Sequence, residues 1–280
     1  MNERDTLKIN NEGHLEIGGM DTVALAEAFG TPLYVYDEVY IRNMMRTYKN
    51  TIIKEYSGNG LVLYASKAFS CMAMYTIAKD EGIGIDVVSG GEIYTAAKSG
   101  FPFDRVYMHG NNKTYAELEY ALDCKVGTIV VDSLGEAETL NEIAGERGIK
   151  QAVLIRINPG IEAHTHAFVQ TARTDSKFGF SISGGAAEEM TKQVLAKENL
   201  ILKGYHCHIG SQIFEKQSFV LAAAKVMSFI AEIRNKTGFE ATEVNMGGGF
   251  GVWYTDEDAS LNAADYAEYL KALIFTIKDK

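Results

Sequence analysis

Proline is scarce in this chain, with three in 280 residues and none in a Pro/Ser-rich hinge. Low-complexity segments and short repeats are missing as well, so nothing in the sequence marks a linker between domains. Cysteine is equally sparse. Cys71, Cys124 and Cys207 are widely spaced, odd in number and outside any CxxC pair. That argues against a disulfide framework, gives no metal signature and suits a reducing compartment. No stretch approaches the ~20 apolar residues needed to span a bilayer. The charged start, Met1-Asn2-Glu3-Arg4-Asp5, lacks the apolar run of a secretory signal. The expectation is a cytoplasmic protein with no membrane partner. Basic residues are in deficit, 27 Lys+Arg against 37 Asp+Glu, for a net charge of −10. Neutralising phosphates requires a concentrated Lys/Arg face, and no basic run occurs, so no nucleic-acid partner is expected.

What the chain does have is a normal globular share of hydrophobic residues, 46%, arranged as short apolar runs alternating with amphipathic ones. Strands are predicted at Leu61–Lys67, Ile83–Ser89, Arg105–Gly110, Thr128–Ser133, Ala152–Pro159, Leu202–Gly210 and Glu243–Phe250. Most are continuous apolar runs, as parallel strands buried on both faces require. Helices are predicted between them at Phe69–Glu81, Glu92–Lys98, Thr114–Cys124, Leu134–Glu146 and Phe214–Asn235. Several of these stop near a glycine, which suits a left-handed cap. Two further helices, Asp21–Phe29 and Asp37–Tyr56, precede the first strand around an extended Thr31–Tyr36. A last helical run covers Ala263–Lys278. Repeated βα units mean parallel strands joined by right-handed crossovers. Seven of them predict an α/β fold, a (β/α)8 TIM-type barrel one strand short, spanning about residues 30–280 after an extension over 1–30. Such an open barrel leaves two edge strands to pair with another segment or chain.

In a barrel of this type reactive groups belong at the C-terminal ends of the strands. Polar residues cluster at almost every such end: Lys67, Asp86 to Ser89, His109 to Asn112, Asp132-Ser133, Arg156 to Pro159, His206 to Ser211 and Gly247 to Gly249. Lys67 closes an apolar run. Burial there would leave a neutral amine, which condensation with an aldehyde needs. A lysine snorkelling out of a strand end explains the run equally well. Gly247-Gly248-Gly249 could form a nest of backbone N–H groups for a phosphate, or a flexible turn. His208-Ile-Gly-Ser211 offers a hydroxyl at the same end. His206 and His208, two apart, are predicted to face the same way into the barrel. No carboxylate or cysteine partner recurs at metal spacing, so no metal is expected.

These motifs resemble those of the fold-type III pyridoxal-phosphate enzymes, the alanine-racemase-like barrels that include ornithine, arginine and diaminopimelate decarboxylases. The likeness runs from Gly30-Thr-Pro-Leu-Tyr-Val-Tyr-Asp37 to Gly247-Gly-Gly-Phe-Gly251. Tyr64-Ala-Ser-Lys67, Gly84-Ile-Asp86, His109-Gly-Asn-Asn-Lys113, Arg156-Ile-Asn-Pro159 and His206-Cys-His-Ile-Gly-Ser-Gln212 stand in the family's order. The resemblance implies a pyridoxal 5'-phosphate cofactor. Lys67 would attach its aldehyde and shuttle a proton, with Asp86 near the cofactor and Arg156 organising that side of the site. His208 would stack on the pyridine ring, Ser211 would hold the phosphate, and Gly247, Gly248 and Gly249 would form the phosphate loop. The catalytic pair is then Lys67 and His208. The segments Asn158–His166 and His206–Gln212 resemble the branch that converts meso-2,6-diaminopimelate to L-lysine and carbon dioxide. Siblings acting on carboxynorspermidine, ornithine or arginine, and a non-catalytic cofactor-binding barrel, remain as alternatives. The family's Glu-Pro-Gly-Arg strand and C-terminal β domain would follow residue 280. The resemblance therefore implies the N-terminal portion of a longer homodimeric enzyme, catalytically incomplete as it stands.

Overall fold

A computed structural model describes residues 6–161, 178–255 and 258–279. The chain opens with a three-stranded antiparallel sheet, β1 (Leu7–Ile9), β2 (Leu15–Ile17) and β3 (Met20–Asp21). This sheet was not predicted, because strands of two or three residues carry no readable period. Asp21 ends β3 and caps α1 (Thr22–Phe29), its Oδ1 accepting the Val23 N–H at 2.7 Å. Asp37 does the same for α2 (Glu38–Glu55), accepting from the Tyr40 N–H at 3.0 Å. Both aspartates were expected inside helices, but each serves better as an N-cap, where a short carboxylate satisfies an orphan donor.

Seven βα-type strands follow: β4 (Leu63–Ala65), β5 (Gly84–Val87), β6 (Val106–Met108), β7 (Thr128–Val131), β8 (Gln151–Asn158), then β10 (Leu200–His206) and β11 (Glu243–Asn245). The short β9 (Phe180–Ser181) lies between β8 and β10 in the chain and pairs beside the end of β8. The sheet runs in the order β11-β10-β8-β7-β6-β5-β4, every pair parallel. This is the curled, seven-stranded partial barrel that the sequence predicted. Helices α3 (Met72–Asp80), α4 (Gly90–Lys98), α5 (Tyr115–Asp123), α6 (Leu134–Glu146), α7 (Ala186–Leu195), α8 (Lys216–Thr237) and α9 (Ala263–Asp279) supply the crossovers and the outer layer. Helix α7 was missed, although its buried Ala187, Met190, Thr191 and Val194 keep helical spacing. Among the described residues, no helix is long and apolar enough to cross a membrane.

Alternation along the strands sorts the side chains into two cores. Ile85, Val87, Met108, Ile129, Val131, Val153 and Ile155 face outward and are fully buried with Ile93, Leu118, Leu140 and Ile143 of the helices. Tyr107, Val130 and Leu154, with Leu63 packed on them, form a smaller inner cluster. Asp86 pairs in register with Ala65 and Tyr107, and Arg156 with His206. Two residues beyond Tyr107, Val130 and Leu154 come His109, Asp132 and Arg156. The inward face of the sheet thus runs straight up into polar side chains.

Most strands stop short of their predicted C-terminal ends, and after β5 and β7 a residue of the predicted end, Ser89 or Ser133, leaves the ladder to cap the next helix. Ser89, Thr114 and Ser133 each accept the N–H of the glutamate three residues on, at 3.2–3.3 Å, and each cap contributes about 1 kcal/mol.

Candidate functional site

At the mouth of the barrel two loops are zipped together. Past β10, the Ile213 N–H donates to the Gly249 carbonyl at 3.0 Å, and the Gly251 N–H returns the bond to Ile213 at 2.9 Å. Gly247 and Gly249 adopt φ +69° and +98°. A Cβ on Gly247 would lie 2.5 Å from the Cys207 carbonyl oxygen, and one on Gly249 would collide with that of Gly210. Only glycine permits this approach, which brings the bare backbone of 247–249 alongside His208 and half-buried Ser211. The Gly247 N–H is taken by Asn245 Oδ1 at 2.8 Å, and the Gly248 N–H points at His208 Nδ1 from 3.5 Å.

His206 and His208 were expected two apart on one strand, and the strand instead ends between them. Strand β10 ends at His206, which is buried edge-on against His109 with ring centroids 4.6 Å apart. His208 lies beyond the strand, half-buried against the glycine loop. His109 Nε2 in turn meets Asp86 Oδ1 at 3.0 Å, and Ser66 Oγ donates to the Asp86 carbonyl at 2.6 Å.

Lys67 departs from expectation in two ways. It sits on the 3-10 turn Ser66–Ala68 rather than at the end of the strand, and it is exposed rather than dry. Among the described residues β4 pairs with β5 alone. The Lys67 charge nevertheless reaches the histidines. Burial first, then the Lys67 and Arg156 cations, hold the His208 imidazole down at about 4. Burial, then the His109 and Arg156 charges, push His206 well below the ordinary histidine range. Both rings are therefore neutral near neutrality, and a neutral imidazole can stack on an aromatic ring without charge repulsion.

A pH dependence follows. Above pH 6.5 these histidines are neutral whether the chain is folded or not. Below it the unfolded chain takes up protons that folded His208 refuses until about pH 4, so the folded state loses stability as pH falls through that window. Thermal melts between pH 7.5 and 4.5 should show a falling midpoint, and His208→Gln should flatten the dependence. An unchanged slope in that variant would remove His208 as its source.

Arg156, on β8, is largely buried. Its guanidinium lies over the Phe178 ring at 4.4 Å and 4.0 Å from Asp132 Oδ2. Behind Asp132 is a pair that the sequence gave no reason to expect, Lys113 and Glu136, whose side chains are 1% and 5% exposed. Lys113 Nζ donates to Glu136 Oε1 and to the carbonyls of Gly110 and Val130, each at 2.7 Å. Burial lowers the lysine and raises the glutamate, so removal from water opposes both charges and their three-fold hydrogen bonding offsets it. The Ser133-x-x-Glu136 spacing reads as a capping box. That ordinary signal conceals the pair. His164 and His166, in the Asn158–His166 segment, lie outside the described residues. Among the described residues, Glu12, His14 and Asp21 are the one group with metal-compatible spacing, and Asp21 there is occupied in capping α1.

This inward-facing cluster of a lysine, neutral histidines, an arginine and a bare glycine loop over parallel strand ends suits an aromatic aldehyde carrying a phosphate. Residues 40–279 match the pyridoxal binding domain of the pyridoxal-dependent decarboxylases, and the chain belongs to that family. It is 47% identical over 273 residues to a diaminopimelate decarboxylase of Bacillus methanolicus, covering 98% of this chain and 62% of that protein. The diaminopimelate decarboxylase of Bacillus subtilis (strain 168) is 48% identical over 263 residues, covering 94% and 60%. Among solved structures, the M. jannaschii diaminopimelate decarboxylase in complex with L-lysine superposes with a TM-score of 0.88 at 35% identity, over 99% of this chain and 64% of that one. The chain thus spans about three fifths of the length of these relatives.

Proposed function

We propose that this chain is the cofactor-binding barrel of a diaminopimelate decarboxylase, forming L-lysine and carbon dioxide from meso-2,6-diaminopimelate in a cytoplasmic homodimer. What supports the reading most is that the charges of Lys67 and Arg156 both act on His208, whose ring lies against the 247–249 backbone. The diaminopimelate decarboxylase relatives and the L-lysine in the M. jannaschii complex support the choice of substrate. Residues from about 30 onward make up the cofactor domain in this reading, and 1–30 an extension.

Pyridoxal 5'-phosphate supplies an electron sink for the electron pair left when the substrate carboxylate departs. The chain's own groups do the rest. Exposed Lys67 would hold the cofactor aldehyde through Nζ and would carry a proton on the same atom. Neutral His208 offers its ring face to the pyridine. Ser211 and the loop of Gly247, Gly248 and Gly249 would hold the phosphate with no Cβ in the way, the Gly247 N–H staying on Asn245. Asp86, fixed by His109 and Ser66, and cationic Arg156 set the charge along the cofactor's flank.

The test is release of labelled carbon dioxide by the whole protein from meso-2,6-diaminopimelate, ornithine, arginine and carboxynorspermidine, each as sole substrate. Turnover of diaminopimelate at least ~100-fold more efficient than that of the others is expected, since a site built for a distal polar group rejects analogues lacking it. Preference for one of the other three would transfer the chain to a sibling activity.

A further inference from the structure

Asp132, the first residue after β7, binds structure on both sides of it. Its backbone N–H donates to Glu136 Oε2 at 3.3 Å, and its Oδ1 accepts the Gly179 N–H at 2.5 Å. Its Oδ2 is buried, has no hydrogen-bond partner among the described residues, and lies 4.0 Å from Arg156 Nη1. A buried carboxylate oxygen without a donor is costly, and a fold retains one only where something else recovers the loss. The adjacent guanidinium is that compensation. Burial pushes the Asp132 carboxyl up and the Arg156 guanidinium down, while each charge favours the other.

Arg156 is enclosed from three directions. Phe178 covers the face of its guanidinium. Gly179, at φ +72°, presses against its backbone so closely that a Cβ there would come within 3.0 Å of the Arg156 carbonyl oxygen. Asp132 stands on the remaining side, holding both Gly179 and the charge. The Lys113 cation is already matched by Glu136 at 2.7 Å, and among the described residues Asp132 is the one carboxylate paired with the guanidinium.

We propose that Asp132 is a positioning residue for Arg156, using one oxygen to fasten Phe178-Gly179 around the guanidinium and the other to hold its charge at the barrel mouth. The proposal rests on the reading above, in which Arg156 faces the cofactor. Asp132→Asn separates the two duties, because an amide oxygen still accepts from Gly179 while the charge facing Arg156 is gone.

The experiment is a double-mutant cycle on pyridoxal 5'-phosphate binding, followed by the cofactor's absorbance in the whole protein and in D132N, R156Q and the double variant. If Asp132 acts through Arg156, D132N weakens binding about tenfold alone but no more than about twofold on the R156Q background, a coupling of the size contacting groups show. A merely structural role predicts losses that multiply, and that result overturns the proposal. A wild-type protein that takes up no pyridoxal 5'-phosphate overturns the proposed function itself, and Asp132's role with it. Thermal melts verify each fold. Should D132N fail to fold, Asp132→Ser, which keeps an oxygen near Gly179 without the charge, enters the same cycle with the same two outcomes.

Discussion

Replacing Lys113 by methionine is expected to destabilise the protein by about 3–5 kcal/mol, the loss typical when one member of a buried ion pair is removed. In this protein that change strands the Glu136 carboxylate, which is 5% exposed, and leaves the carbonyls of Gly110 and Val130 without their shared donor. The Asp132 N–H depends on the other oxygen of Glu136, so the disturbance runs into the strand ends. Removing both charges should act differently. The double variant Lys113→Met/Glu136→Leu is expected to recover at least half of the loss, since apolar replacement of a whole buried pair is close to neutral. Urea unfolding of the three proteins decides it. A single variant costing under about 1 kcal/mol would show that the pair is wetter than its geometry implies.

Lys67→Ala carries the largest expected effect on activity. Decarboxylation should fall by about 1,000-fold or more, because the same amine attaches the cofactor and transfers a proton. Stability should barely change. Lys67 is exposed on a 3-10 turn, and surface substitutions of that kind shift stability by roughly 0.5 kcal/mol or less. Loss of activity with an unchanged melt distinguishes chemistry from folding. Retention of more than roughly a tenth of wild-type turnover would mean that another group does this work.

The barrel was legible because its strands are buried on both faces and bounded by glycine-terminated helices. All seven are present, and Leu134–Glu146 falls where the periodicity puts it. Strand ends were less legible. The residues following them are neither apolar nor periodic, and sequence pattern alone does not separate the last ladder residue from the first cap, as at Ser89 and Ser133. Candidate site residues could be named from type and position, since a lysine, an aspartate, an arginine and a glycine triplet stand in or at the ends of otherwise apolar runs. Their surroundings could not. Whether Lys67 is wet or dry is a property of the folded surroundings rather than of local sequence. The Lys113–Glu136 pair joins residues 23 apart whose local signals are a motif tail and a helix cap. The enclosure of Arg156 by Phe178, Gly179 and Asp132 likewise requires knowing that β7, β8 and β9 are neighbours.

The most direct measurement is to load the whole protein with pyridoxal 5'-phosphate, reduce it with borohydride and find the modified peptide by mass spectrometry. The account places the label on Lys67, in the 3-10 turn that follows the first barrel strand. A label on any other lysine, with Lys67 unmodified, would contradict it.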